Sequence, residues 1–197
     1  MKLLLPAAST FALALGLVVP SAAAPAVRAE ATRYEVDGVH SSVIFKVKHF
    51  NAANFYGRFD SVSGSVALDE KSAAASSVEI SIAADSLHTG NPKRDSDVKG
   101  PDMLSVKEFP AMTFKSKSVK GSGDAFDVEG ELTFHGVTKP LSVKVAKTGT
   151  GKGMKGETHV GYETTFSIKR TDFGMKYMVG PLGDDVQITI SLECVPK

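Results

Sequence analysis

The sequence predicts an all-β protein of about eight antiparallel strands, closed as an up-and-down barrel or stacked as a sandwich, behind an N-terminal export signal. From Tyr34 onward apolar and polar residues alternate strictly, which sends every second side chain to one face of a pleated strand. Helical spacing is nearly absent, and the connections between alternating runs are short and rich in glycine. One face of each run is dry and the other wet, as in antiparallel sheets; parallel sheets covered on both sides read as continuous apolar runs.

The leader comes first. Lys2 supplies a positive start, Leu3 to Val19 is almost wholly apolar, and Ser21-Ala22-Ala23-Ala24 offers small residues for cleavage. The run contains Pro6, Ser9 and Thr10 and falls short of the ~20 residues a bilayer core requires, so a cleaved signal peptide is expected rather than an anchor. Small-x-small sites end at Ala23, Ala24, Ala26 and Ala29. The expected organisation is a leader over residues 1–26, cut somewhere between 23 and 29, and one domain over 30–197.

The strands follow in order. Val43/Phe45/Val47 opens the series, with Lys46 and Lys48 turned the other way. Gly57 to Leu68 and Val78/Ile80/Ile82 come next. Asp85 to Phe109 breaks the rhythm and is too long for a structureless loop, so short helices are expected there. Asn91 can cap, Pro92 suits a first helical position, Gly100 can close the turn and Pro101 can start another. Alternation resumes at Met112 to Ser118 and continues through Phe126 to Phe134, Leu141/Val143/Val145, Tyr162 to Ile168 and Val186 to Leu192. Lys120 to Gly123, His135 to Thr138 and Gly149 to Gly156 read as hairpin loops, and Thr171 to Met178 as a helical turn.

Composition excludes some functions. The 197-residue chain has 23 basic and 22 acidic side chains; losing Lys2 and Arg28 with the leader leaves 21 against 22, a net charge of −1. No nucleic-acid footprint follows from that balance. Gly151 to Gly156 spells G-x-G-x-x-G but leads into a strand, so the helix amides that hold a dinucleotide phosphate are missing. His40, His49, His88, His135 and His159 lack ligand spacing, so no metal is expected, although folding can still gather a few of them. His40-Ser41 does not make a base and nucleophile, because adjacent strand residues point to opposite faces. Cys194, the lone cysteine, continues the apolar face of the last run and is expected to be a buried, unreactive thiol.

In order along the chain stand Asp37-Gly38-Val39-His40-Ser41 leading to Phe45 and His49, Gly57-Arg58-Phe59, Ser86 to Asn91 with Arg94-Asp95, Glu108-Phe109-Pro110, Gly130 to Pro140, Arg170 to Met175 and Gly183 to Val186. Together these strings resemble the YceI-like family of bacterial lipid-binding proteins, over about Tyr34 to Cys194. One departure stands out: Ser96-Asp97-Val98 follows Arg94-Asp95 where the family often has an acidic or small residue, then His and Leu, so no role for that histidine carries over. The resemblance implies an eight-stranded, antiparallel, lipocalin-like β-barrel with short helical insertions. It also implies a periplasmic location and a long apolar ligand: a polyisoprenoid, an isoprenoid quinone, or a fatty amide or acid.

On that reading the ligand lies along Val43, Phe45, Val47, Phe59, Phe114, Phe126, Leu132, Phe134, Phe166, Ile168, Phe173 and Ile190. Arg94, Asp95, Arg170 and Asp172 are candidate rim residues for a polar head, with structural ion pairs bracing the helical insertions as the other account. No catalytic residue and no cofactor other than the bound lipid is expected. Transient membrane contact and a homodimer are left open. Two other functions stay in view: a solid-core barrel whose surface binds a protein, and a hydrolase or isomerase at the barrel mouth using His40, His49 or His88 as base.

Overall fold

Alternation becomes register in the computed structural model, which describes residues 32–69 and 73–197. The signal peptide expected over residues 1–26 lies outside them. Among the described residues ten strands form: β1 (Tyr34–His49), β2 (Ala53–Phe59), β3 (Val62–Ala67), β4 (Ser77–Ala83), β5 (Leu87–His88), β6 (Ala111–Ser122), β7 (Ala125–Phe134), β8 (Val137–Lys152), β9 (Thr158–Lys169) and β10 (Leu182–Pro196). Every pairing between them is antiparallel. The order β10-β9-β8-β7-β6-β4-β3-β1 closes on itself because β1 also pairs with β10. That closure makes an eight-stranded barrel and removes the sandwich alternative.

The run from Gly57 to Leu68 is not one strand. It turns at Asp60-Ser61, so that β2 pairs with the second half of β1 (Val43–Phe59 to His49–Ala53) and β3 with its beginning (Tyr34–Val66, Glu35–Ser65). The short β5 adds to β2. Between Asp37 and Ser42, β1 bulges out of register with β10; the Asp37 carboxylate accepts from Val39 N, while Ser41 Oγ donates to Asp37 O and accepts from Glu193 N.

The β7–β8 hairpin shows how local chemistry sets register. His135 and Gly136 both take positive φ, 50° and 73°, as a two-residue primed turn demands, and only the glycine does so without strain. Phe134 and Val137 then face each other, and the pairing runs to Ala125–Ala146.

The helical insertion is the α-helix α1 (Pro92–Lys99), with Asn91 accepting from Arg94 N at 3.0 Å and Gly100 at its end, as the sequence leads one to expect. No second helix starts at Pro101. The chain turns there instead, with Leu104 N bonding back to Val98 O and Ser105 N to Gly100 O. Thr171 to Met178 shortens likewise to a 3-10 turn at Arg170–Phe173, which ends on Gly174.

The apolar faces meet inside the barrel, with Val43, Val66, Val128 and Cys194 among the most deeply buried side chains. Burial pushes the Cys194 thiol up to about 12, so its unreactive character has a physical basis. Among the described residues no helix is long and apolar enough to cross a membrane.

Candidate functional site

Among the described residues the barrel interior holds two apolar voids. The lower, about 60 Å³, is lined by β3, β4, β6, β7, β8, β9 and β10 through residues such as Val66, Ile80, Val128, Val143 and Tyr162. The upper, about 80 Å³, lies against β1, β2, α1 and the turns at the helical end through Phe45, Phe59, Met103, Leu104 and Met175. Met112, 2% exposed, lines both and is the residue they share. Packed cores contain few voids larger than a water molecule, so two adjoining ones with apolar walls set this interior apart.

Glycines shape the walls. Phe45 packs opposite Gly57 on β2, where a Cβ would lie 2.3 Å from its ring, and Phe114 lies over Gly130 on β7, where a Cβ would lie 2.6 Å away. In each case the absent side chain lets an aromatic ring lie flat along the wall.

The residues expected to line a ligand divide into four groups. Phe114, Leu132, Phe166 and Ile190 border the lower void, and Phe45, Val47, Phe59 and Phe134 the upper. Val43 and Phe126 are buried in the surrounding core. Ile168 and Phe173 line a cleft on the side of the barrel, where Phe173 also packs on Phe134 with ring centroids 5.9 Å apart.

The four candidate rim residues do not form one rim. Arg94 donates to Thr89 Oγ1 and Thr89 O at 2.9 and 2.7 Å, with its guanidinium 4.5 Å above the Phe55 ring. Asp95 accepts from Thr89 N at 2.7 Å, and the Thr89 hydroxyl bond lowers its pKa. Arg170 is 3% exposed and donates to four carbonyls, those of Met175, Tyr177, Leu182 and Gly183. Burial lowers its pKa below the ordinary guanidinium value, yet a guanidinium with that many acceptors stays charged. Asp172 lies at the side cleft, 3.8 Å from Lys139. Arg170 is thus a brace, though made of carbonyls rather than of an ion pair.

Met112 and Tyr162 share faces with Phe114 and Phe166, so the period of two points to them as lining residues. Met103, Leu104 and Met175 come from irregular turns and carry no periodic signal.

At the far side of the β1 bulge the fold gathers groups distant in sequence. Asp37, His40 and Glu193 offer ligand atoms all within 4.8 Å of one another, an arrangement that could hold a cation. His40 Nδ1 donates to Asp37 at 2.8 Å, and His159 Nδ1 donates to Glu193 at 2.6 Å with Glu157 near its other nitrogen. Asp37 raises the pKa of His40, and Glu157 and Glu193 raise that of His159, so these groups already satisfy one another as ion pairs. Ser41 donates to Asp37 O rather than to His40, so the adjacent pair does not act as base and nucleophile.

A closed antiparallel barrel of eight strands around an apolar interior makes this a lipocalin-like β-barrel. The chain belongs to the YceI-like family: residues 34–194 match the YceI-like domain. It is 38% identical over 184 residues to a UPF0312 protein of Pseudomonas aeruginosa, covering 92% of this chain and 94% of that one. It is similar in structure to BcnA of Burkholderia cenocepacia, with a TM-score of 0.72, 26% identity and coverage of 80% and 98%. A polyisoprenoid-binding domain from Saccharophagus degradans, implicated in plant cell wall breakdown, shares the fold with a TM-score of 0.65 at 14% identity, over 85% of this chain and all of that one.

Proposed function

We propose that the protein is an exported, periplasmic carrier that holds a long apolar chain in its barrel for transport or storage. The chain would be a polyisoprenoid, the tail of an isoprenoid quinone, or a fatty amide or acid. The observation that carries this reading is the pair of apolar voids meeting at Met112. Methionine has an unbranched, mobile side chain, and Met112, Met103 and Met175 together provide walls that can move aside for a ligand. Burial of each CH₂ contributes roughly 0.8 kcal/mol, so a five-carbon unit gains a few kcal/mol before ordering costs. The related Saccharophagus domain, named for polyisoprenoid binding, supports the same ligand class. The reading assigns no catalytic residue.

The test is mass spectrometry of intact protein and of its organic extract after export in the native host. A mass lacking at least the first 22 residues, with a stoichiometric long-chain lipid, is expected. Full-length, membrane-retained protein would overturn export. Lipid-free protein that takes up no polyprenyl or acyl chain on titration would overturn the carrier reading and favour a barrel that binds a protein on its surface.

A further inference from the structure

A long stretch of the barrel wall lacks its ladder. β8 is bonded to β7 from Val137 onward, and β9 to β10 up to Lys169, yet β8 and β9 pair with each other only from Val145–Thr164 to Lys152–Thr158. Val137 to Lys144 and Thr165 to Lys169 therefore present facing edges without a register between them.

The sequence holds a cause. Phe134–Val137 closes a two-residue hairpin and so exchanges both backbone bonds, after which bonded and non-bonded pairs alternate. Glu131–Pro140 falls on a non-bonded pair, which turns the backbone of residue 140 away from β7 and toward β9. Proline has no N–H to offer on that side. The same alternation aims the Lys144 carbonyl at β9, and it accepts from Thr164 Oγ1 at 2.8 Å, a side-chain bond that pins the point where the ladder stops.

Over this seam lies a cleft of about 360 Å³, and Leu132 and Leu141 line both the cleft and the lower void. The Lys139–Asp172 pair bridges the seam at 3.8 Å with both side chains exposed, a weak, solvent-screened clasp. The helical end is held more firmly. Val98, Met103 and Leu182 stand between the upper void and a mouth pocket of about 690 Å³, in segments tied by backbone bonds and by the four carbonyl bonds of Arg170. Local opening is drawn from the segments with the fewest such ties, and that is the seam.

We propose that the apolar chain enters and leaves the barrel sideways, through the seam between β8 and β9, rather than through the mouth at α1. The proposal rests on the carrier reading and assigns a route to it.

Paired cysteines test the route, because native Cys194 is buried and does not compete for thiol reagents. Ser142→Cys/Ser167→Cys places two exposed thiols on the facing edges, and Asp102→Cys/Tyr177→Cys places two beside the mouth pocket. Each pair is tethered with a bis-maleimide carrying a reducible spacer, folding is checked by circular dichroism, and uptake and release of cis-parinaric acid are followed by stopped-flow fluorescence. The seam tether should slow both rates by about tenfold or more, as when local opening gates exchange, with recovery on reduction, while the mouth tether leaves them unchanged. Wild-type rates with the seam tethered, or equal slowing by both tethers, overturns the lateral route. Failure of the untethered protein to take up the probe overturns the carrier reading instead.

Discussion

Val128→Phe separates a ligand chamber from an incompletely packed core. Val128 is fully buried on β7 and borders the lower void of about 60 Å³. Unfilled volume of that size corresponds to about 1.4 kcal/mol of forgone packing at ~24 cal/mol per Å³. The phenyl ring adds about four carbons, with a transfer gain of about 3 kcal/mol, set against an overpacking cost of about 1 to 3 kcal/mol. Stability should therefore stay within about 2 kcal/mol of wild type, read from urea unfolding midpoints at unchanged slope. Binding should respond far more: with the lower chamber filled, a fatty or polyprenyl chain loses part of its seat, and titration with a fluorescent fatty acid should show affinity falling by at least about tenfold, or ~1.4 kcal/mol. Wild-type affinity and stoichiometry in a folded Val128→Phe protein would show that the lower void is not a ligand seat.

Arg170→Met should cost about 3 to 5 kcal/mol in denaturant unfolding, because it strands four carbonyls around a buried position; Arg170→Lys should recover only part, lacking the planar fork. NMR titration should place the pKa values of His40 and His159 above the ordinary 6.5. Since folding raises both, the stability they contribute is complete below about 6.5 and is lost as pH rises through the folded values, so His40→Gln/His159→Gln should flatten the stability profile on the alkaline side. Asp37, lowered by His40, acts in the opposite sense: its share is present above 3.8 and disappears as pH falls through its folded value.

Faces were legible where the cause is local. A period of two reports which side of a strand is dry, so Phe45, Phe114, Leu132 and Phe134 could be assigned to the interior before any pairing was known. Asn91-Pro92 marked the start of α1, because capping depends on neighbouring atoms alone. Pro101 misled: a proline at a first helical position permits a helix, but the bonds of Leu104 and Ser105 back to Val98 and Gly100 leave the chain turning instead. Arg170 and Asp172, two residues apart, read as one rim, yet one is buried among carbonyls and the other lies exposed at a side cleft.

Neighbours along the chain were enough to place the strand faces, a hairpin within His135 to Thr138, the helix cap and the buried thiol. Tertiary structure alone decided that β1 meets β10 and closes a barrel, that Met112 stands between two voids, and that Asp37, His40 and Glu193 converge across the β1 bulge. It also decided where β8 and β9 part. Pro140 removes one donor, but whether the strands separate there depends on the paths imposed by β7 and β10 on either side, and those are contacts between residues far apart in the chain.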